Sequence, residues 1–207
     1  MQKTLTEFMA QLGGTLSAEA WKLLTQYADL VWEKKEQLNL TSVADRAEIF
    51  KRHLADGLVA AALLQRRFGS APVSAADMGS GAGYIGLTLA AVCPQVQVTL
   101  VESLQKRGMF LNWVILKLGL TNVSVKGVRL GQAEVGTFDF VTERAMGQLA
   151  DILPLLAPCV KKGGLLAAFQ SMRPSAADLP SVGLAVAEPV CYTLPGESKE
   201  RYLTVFN

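Results

Sequence analysis

The feature that most restricts this chain is Asp77-Met78-Gly79-Ser80-Gly81-Ala82-Gly83, alternating glycines set between a short apolar stretch from Val73 and a helical stretch through Leu87 to Val92. Glycines so spaced let the backbone turn sharply from a strand into a helix and let a ligand approach atoms that a Cβ would shield. The residues that follow repeat the unit. Strands are expected at Val96 to Glu102, Val123 to Val128, Phe138 to Thr142 and Leu165 to Phe169, with helices at Lys106 to Leu118 and Leu149 to Val160. Such alternation predicts an α/β fold with a mostly parallel sheet covered on both faces. The end differs: Val182 to Val190 and Tyr202 to Phe206 are strand-like, separated by Pro195-Gly196 without a helical pattern, and predict a terminal antiparallel pair.

Before the glycine run the texture is helical. Leu5, Phe8, Met9 and Leu12, then Leu16, Trp21, Leu24, Tyr27 and Val31, recur at helical spacing on either side of Gly13-Gly14. Ser17, followed by Ala18-Glu19-Ala20, reads as an N-cap with an acidic first turn. After the polar Asn39-Leu40-Thr41-Ser42, a third helical stretch runs from about Arg46 to a basic last turn, Arg66-Arg67, and a Gly69 stop. Residues 1–70 are thus expected to be a helical N-terminal extension, and residues 71–207 an α/β core forming one compact unit.

At 207 residues with 50% apolar side chains, the chain is long enough for one well-buried core and too short for two full domains. Twenty Lys and Arg against 18 Asp and Glu leave a charge of +2, so no polybasic arm exists and a nucleic-acid partner cannot be argued from charge alone. Cys93, Cys159 and Cys191 are far apart, lack a Cys-x-x-Cys and share the chain with one histidine, which argues against a disulfide scaffold and against a metal site. With no apolar run of membrane-spanning length and no signal-like N-terminus, a cytoplasmic protein with no membrane partner is expected.

Two cofactors compete for the glycine run. Gly81-Ala82-Gly83-Tyr84-Ile85-Gly86 satisfies the dinucleotide pattern Gly-x-Gly-x-x-Gly, and Glu102 ends the next strand, where it can hold a ribose of either cofactor. A dinucleotide places its pyrophosphate at the helix N-terminus, where Asp77 is unhelpful, whereas S-adenosylmethionine presents an ammonium that Asp77 can attract directly or through water. The long helical lead-in and the antiparallel end also favour a class I S-adenosylmethionine-dependent methyltransferase.

Beyond the glycine run, Leu38-Asn39-Leu40-Thr41-Ser42, Arg52-His53-Leu54-Ala55-Asp56, Val101-Glu102-Ser103 with Lys106-Arg107, Gln132-Ala133-Glu134, Glu143-Arg144-Ala145 and Glu200-Arg201 complete a pattern over residues 35–207. Together these resemble the RsmG (GidB) family of bacterial small-subunit rRNA methyltransferases. The resemblance implies methyl transfer from S-adenosylmethionine to N7 of guanine 527 of 16S rRNA, with the small ribosomal subunit as partner and the enzyme a monomer. It places the methionine end of the cofactor at Asp77, Gly79, Gly81, Gly83 and Tyr84, the ribose at Glu102, the adenine beside Ala133 and Glu134, and Arg144 near cofactor and substrate. Arg52, Lys106 and Arg107 would meet RNA, and His53 would shape the pocket rather than act as a base. Guanine N7 has a free lone pair and no proton to lose, so the chemistry needs alignment and charge tolerance.

The chain departs from the family pattern in four places: Gln132 stands for an Arg, Glu102 for an Asp, Gly57 for a Ser, and Ala168-Phe169-Gln170 for Ala-Leu-Lys. Three other readings stay open: a small-molecule methyltransferase, an NAD-dependent oxidoreductase using the overlapping glycine pattern, and an inactive ribosome-binding homologue, which Gln132 and Gln170 allow.

Overall fold

The computed structural model describes residues 1–175, 179–187 and 189–207. Helices α1 (Gln2–Gln11) and α2 (Ala18–Leu38) form the lead-in; the Ser17 hydroxyl caps α2 by accepting from the Ala20 N–H, and Asn39 closes it in the left-handed conformation at φ 50°. The third helical stretch is not uniform: α3 (Arg46–Glu48) passes into a π-helical segment, Ile49–Leu54, and then into α4 (Ala55–Phe68). Periodicity cannot show a widened turn, and this one carries Arg52 and His53.

The strands are β1 (Ser74–Met78), β2 (Gln97–Val101), β3 (Val123–Lys126), β4 (Phe138–Arg144), β5 (Val160–Gln170), β6 (Val190–Thr193) and β7 (Glu200–Phe206), joined into one sheet in the order β3-β2-β1-β4-β5-β7-β6. Pairing from β3 through β5 is parallel, and β7 runs antiparallel to β5 and to β6 between them. Between β1 and β4 the strand order reverses direction, and in open α/β sheets the carboxyl ends at such a point form the ligand crevice.

Helices α5 (Tyr84–Val92) and α6 (Gln105–Leu118) cover the same face of the sheet as the N-terminal helices, while α7 (Leu149–Leu156) covers the other. Strand alternation sorts the side chains accordingly: Ala75, Leu100, Phe140 and Ala167 join Leu5, Tyr27 and Leu58 in one core, whereas Met78, Val101, Val141 and Ala168 join Leu153 and Phe206 in the second. No helix among the described residues is long and apolar enough to cross a membrane.

Two element boundaries differ from expectation. The helix expected to reach Val160 stops at Leu156 in favour of a 3-10 turn, Ala157–Cys159, because Pro158 has no N–H to continue it. The strand expected over Val182 to Val190, whose Glu188 lies outside the described residues, is displaced to β6. Gly183 and Pro189 suit a strand poorly, while Val190-Cys191-Tyr192-Thr193 is β-branched and aromatic; of the earlier stretch, Val186 keeps an isolated bridge to Phe206.

Candidate functional site

Two cavities open at the carboxyl edge of the sheet and share Ala145. The smaller, about 470 Å³, is lined by Gly79, Glu102, Arg107, Leu130, Met146 and Leu155 among others. The larger, about 660 Å³, is walled by Arg52, His53, Asp56, Glu143, Arg144 and Arg201, with Gln170 and Tyr192 beside them.

On the smaller side the glycine loop is held from several directions. Gly79, Gly81 and Gly83 have φ of 65°, 59° and 91°, a region that side chains rarely enter. Glu102, buried at the end of β2, accepts from the Gly81 N–H at 2.9 Å and, with its other oxygen, from the Leu104 N–H at 2.8 Å. Each carboxylate oxygen retains a second lone pair for a ligand hydroxyl. A Cβ on Gly81 would meet only the Gly79 carbonyl, at 3.9 Å, so the loop leaves open space beside that carboxylate. From α2, the buried Tyr27 hydroxyl donates to the Ala82 carbonyl at 2.7 Å, a support that no local motif announces.

Asp77 lines neither of these cavities. Its Oδ2 accepts from the Gly86 N–H at 2.9 Å and its Oδ1 from the Thr142 hydroxyl at 3.1 Å, so it pins α5 to β1 and β4. Burial pushes its carboxyl up to about 6 against those hydrogen bonds. Gly86, the third glycine of the dinucleotide-like pattern, lets α5 lie against the sheet: a Cβ there would overlap Leu100 and Asp77. Ala133 and Glu134 are exposed and line neither cavity; the wall in that region is Val128, Arg129 and Leu130. Lys106 is likewise exposed and outside both, while Arg107 reaches the smaller cavity.

On the larger side the chain brings together residues remote in sequence. Asp56, 1% exposed, accepts from Arg144 Nη1 at 2.8 Å and from the Tyr192 hydroxyl at 2.8 Å, with Arg201 Nη1 at 3.7 Å. Glu197 accepts from Arg52 Nε and Arg201 Nη2, both at 3.0 Å, which links the π-helical segment to the loop between β6 and β7. Arg144 also stands 5.4 Å from the centroid of the buried Tyr84 ring. His53 stacks on that ring at 4.2 Å, with Nε2 2.7 Å from the Thr41 hydroxyl. Its burial, together with Arg144, Arg52 and Arg201, pulls its pKa down to about 3, so the ring is neutral at physiological pH. Burial pushes the Tyr84 hydroxyl up to about 12.

Asp56, Tyr192, Glu197 and Arg201 are not among the site residues expected from sequence. Of the departures, Gln170 lines the larger cavity and accepts from the Thr204 hydroxyl at 2.9 Å, whereas Gln132 is exposed. Gly57 faces Thr88 and the Tyr84 carbonyl so closely that any Cβ would collide, so a serine there requires α4 and α5 to separate.

The strand order, the glycine loop under a carboxylate and the inserted antiparallel strand define a class I S-adenosylmethionine-dependent methyltransferase fold. Solved structures with this fold include a precorrin-6y C5,15-methyltransferase from Geobacter metallireducens, with a TM-score of 0.57 at 16% identity over 72% of this chain and 87% of that one. Another is Aeropyrum pernix fibrillarin with natively bound S-adenosyl-L-methionine, TM-score 0.55 at 17% identity, covering 72% of this chain and 74% of that one. A family model, GidB, rRNA small subunit methyltransferase G, matches residues 20–189, and the chain belongs to that family. One relative, the ribosomal RNA small subunit methyltransferase G of Sorangium cellulosum, is 41% identical over 171 residues, 81% of this chain and 71% of its own length.

Proposed function

We propose that the protein transfers a methyl group from S-adenosylmethionine to N7 of a guanine in small-subunit rRNA, the guanine at position 527 of 16S rRNA. The family and the Sorangium relative act, by name, on small-subunit rRNA, and the fibrillarin fold neighbour holds the cofactor itself. The choice of N7 rests on the family resemblance, and the setting of the single histidine agrees with it. His53 is held by Thr41 and Tyr84 among three arginines, which makes it a poor proton acceptor. N7 requires no proton acceptor, whereas an exocyclic amine does.

The residues fit the cofactor. When bound it supplies a methyl group on a positively charged sulfur. Glu102 accepts the two ribose hydroxyls beside the open face of Gly81, and Leu130, Ile152 and Leu155 give the adenine apolar walls. Ala145 lines both cavities, and the larger one receives a flipped guanine. Arg144, fixed by Asp56 and Tyr84, holds the boundary between the ligands in one orientation, and neutral His53 adds no charge against the sulfonium. Alignment of nucleophile, methyl carbon and sulfur is then the main task of these side chains.

The test is labelled methyl transfer to small subunits from a strain lacking the protein, followed by nucleoside mapping. The expected product is 7-methylguanosine at one position of 16S rRNA. Methyl transfer only to a small molecule, or tighter binding of NAD than of S-adenosylmethionine in calorimetry, would overturn the proposal.

A further inference from the structure

Glu143 is the acidic side chain of the larger cavity that has no task in the proposed transfer. It is the penultimate residue of β4, beside Met78 of β1, is 2% exposed, and accepts a hydrogen bond from the Met146 backbone N–H. Its Oε2 has no hydrogen-bond partner among the described residues. A shielded acceptor with nothing to accept costs stability, and in a folded protein such a group calls for a ligand or a functional reason. The turn around it is unusual too: Ala145 has φ 62°, rare for a residue with a side chain, and Gly147 has φ 143°. Strain of this kind at a cavity wall points towards function.

The wall position narrows the choice of ligand. Glu143 faces the larger cavity, with Asp56, His53 and Arg144, and not the smaller cavity that contains Glu102 and Gly79. It is therefore on the side of the methyl acceptor. Guanine differs from the other bases in presenting two adjacent donors, N1–H and the N2 amino group, on the edge away from N7. Of the common side chains, a carboxylate matches that pair best.

We propose that Glu143 reads the Watson–Crick edge of the target guanine, its carboxylate accepting from N1–H and the N2 amino group while N7 on the opposite edge faces the methyl group. This rests on the guanine-N7 reading and names the residue that selects the base. Oε2 offers both its lone pairs, and the oxygen bound to the Met146 N–H offers its second. Adenine presents a bare N1 lone pair in place of N1–H and no N2 amino group, so the same carboxylate repels it. The contact also serves the reaction. As N7 bonds to the methyl carbon and the carbon–sulfur pair returns to sulfur, the positive charge moves onto the purine. N1–H then becomes a stronger donor, and its bond to the carboxylate strengthens in the transition state.

Burial pushes the Glu143 carboxyl up to about 7, with Asp77 raising it further and the Met146 N–H and Arg144 opposing. Two purine donors would hold it in the ionised form once the base is bound.

The experiment uses small subunits reconstituted with 16S rRNA carrying either guanine or hypoxanthine, which lacks only the N2 amino group, at the mapped position. For the wild-type protein, kcat/KM should fall roughly 10–100-fold with hypoxanthine, the worth of one hydrogen bond to a charged group. For Glu143→Gln, the guanine rate should fall and the preference should shrink to within about threefold, with the cofactor dissociation constant unchanged, while Glu143→Asp should recover part of the preference. If Glu143→Gln does not fold, the wild-type ratio still decides: equal rates on the two bases overturn the proposal. It is also overturned if Glu143→Gln weakens cofactor binding, which would make the partner the cofactor ammonium, or if kcat collapses equally on both bases, which would make Glu143 a base. A wild-type protein that methylates guanine N7 without preferring guanine over hypoxanthine refutes this inference alone. A wild-type protein that leaves N7 unmethylated refutes the proposed function and this inference together.

Discussion

The glycine-loop side and the arginine side of the sheet edge are assembled by different means. Between Gly79 and Glu102 most of the contacts are local, a loop, its following helix and the end of the next strand, closed by Glu102 on the Gly81 N–H; one, from the Tyr27 hydroxyl to the Ala82 carbonyl, spans 55 residues. The arginine side is assembled from contacts that span 88 residues for Arg144 to Asp56, 136 for Tyr192 to Asp56 and 145 for Arg52 to Glu197. A local site survives wherever its strand and helix pair correctly. The distributed site exists only when the π-helical segment, β4 and the β6–β7 end are all in place.

The largest effect should therefore come from Asp56→Ala. Its loss leaves the Arg144 charge and the Tyr192 hydroxyl without their buried acceptor, and should cost about 3–5 kcal/mol in denaturant unfolding. In the fraction that stays folded, the cofactor dissociation constant should change little; a large change would show that the two sides are one unit.

Glu102→Ala acts on the other side and should weaken cofactor binding by about 1.5–3 kcal/mol, read by calorimetry, with RNA binding preserved. Because Glu102 also holds the Gly81 and Leu104 N–H groups, part of that loss is loop order, and Glu102→Gln should recover some of it. An unchanged constant in a folded Glu102→Ala protein would remove the residue from the site.

Within the arginine side, Arg144→Ala should slow single-turnover transfer more than His53→Gln does. The arginine is a fixed multiple donor over Tyr84, whereas the histidine is a neutral stacked ring. The reverse ranking would make the imidazole the principal group.

A smaller effect concerns RNA. Arg107→Ala and Lys106→Ala together should lower the salt slope of RNA binding by about one unit for each phosphate no longer neutralised. Arg107 borders the smaller cavity and Lys106 does not, so of the two only Arg107→Ala should also touch cofactor affinity. An unaltered slope would return both to a solvated helix face.

Acid stability gives a separate signal. The folded state lowers the pKa of His53 from its ordinary 6.5 to about 3, chiefly through burial. The neutral ring is thus favoured by folding, and its contribution is complete above pH 6.5 and lost as pH falls towards 3. The unfolding free energy of His53→Gln should fall less steeply than that of the wild type across this window; identical slopes would place the histidine in water.

What could be read in the sequence follows the same division. The strand–glycine–helix unit, the parallel alternation and Glu102 lie within short windows, and periodicity with glycine chemistry exposes them. Ser17 as a cap and the Gly69 stop are legible for the same reason. Asp56 and Arg201 lie in segments that carry the family resemblance, but their roles, like those of Tyr192 and Glu197, carry no local signal, since they depend on which strands become neighbours. The insertion of β7 between β5 and β6 brings Tyr192 and Arg201 to Asp56. The π-helical widening at Ile49–Leu54 is similarly silent in an apolar pattern. Asp77 illustrates a subtler limit: an acid before a glycine loop reads as a ligand for a cation, and the sequence does not announce that its oxygens also accept from Gly86 and Thr142 and pin α5 to the sheet.

The measurement that bears most directly on the account is the pH dependence of single-turnover methyl transfer at saturating substrate, compared between the wild type and His53→Gln. If the arginine side aligns N7 and removes no proton, the variant keeps measurable transfer, its loss appears in binding or alignment, and the two profiles superimpose between about pH 5 and 8. A wild-type rate that rises tenfold per pH unit through about 6.5, and is abolished in His53→Gln while both ligands still bind, would contradict it.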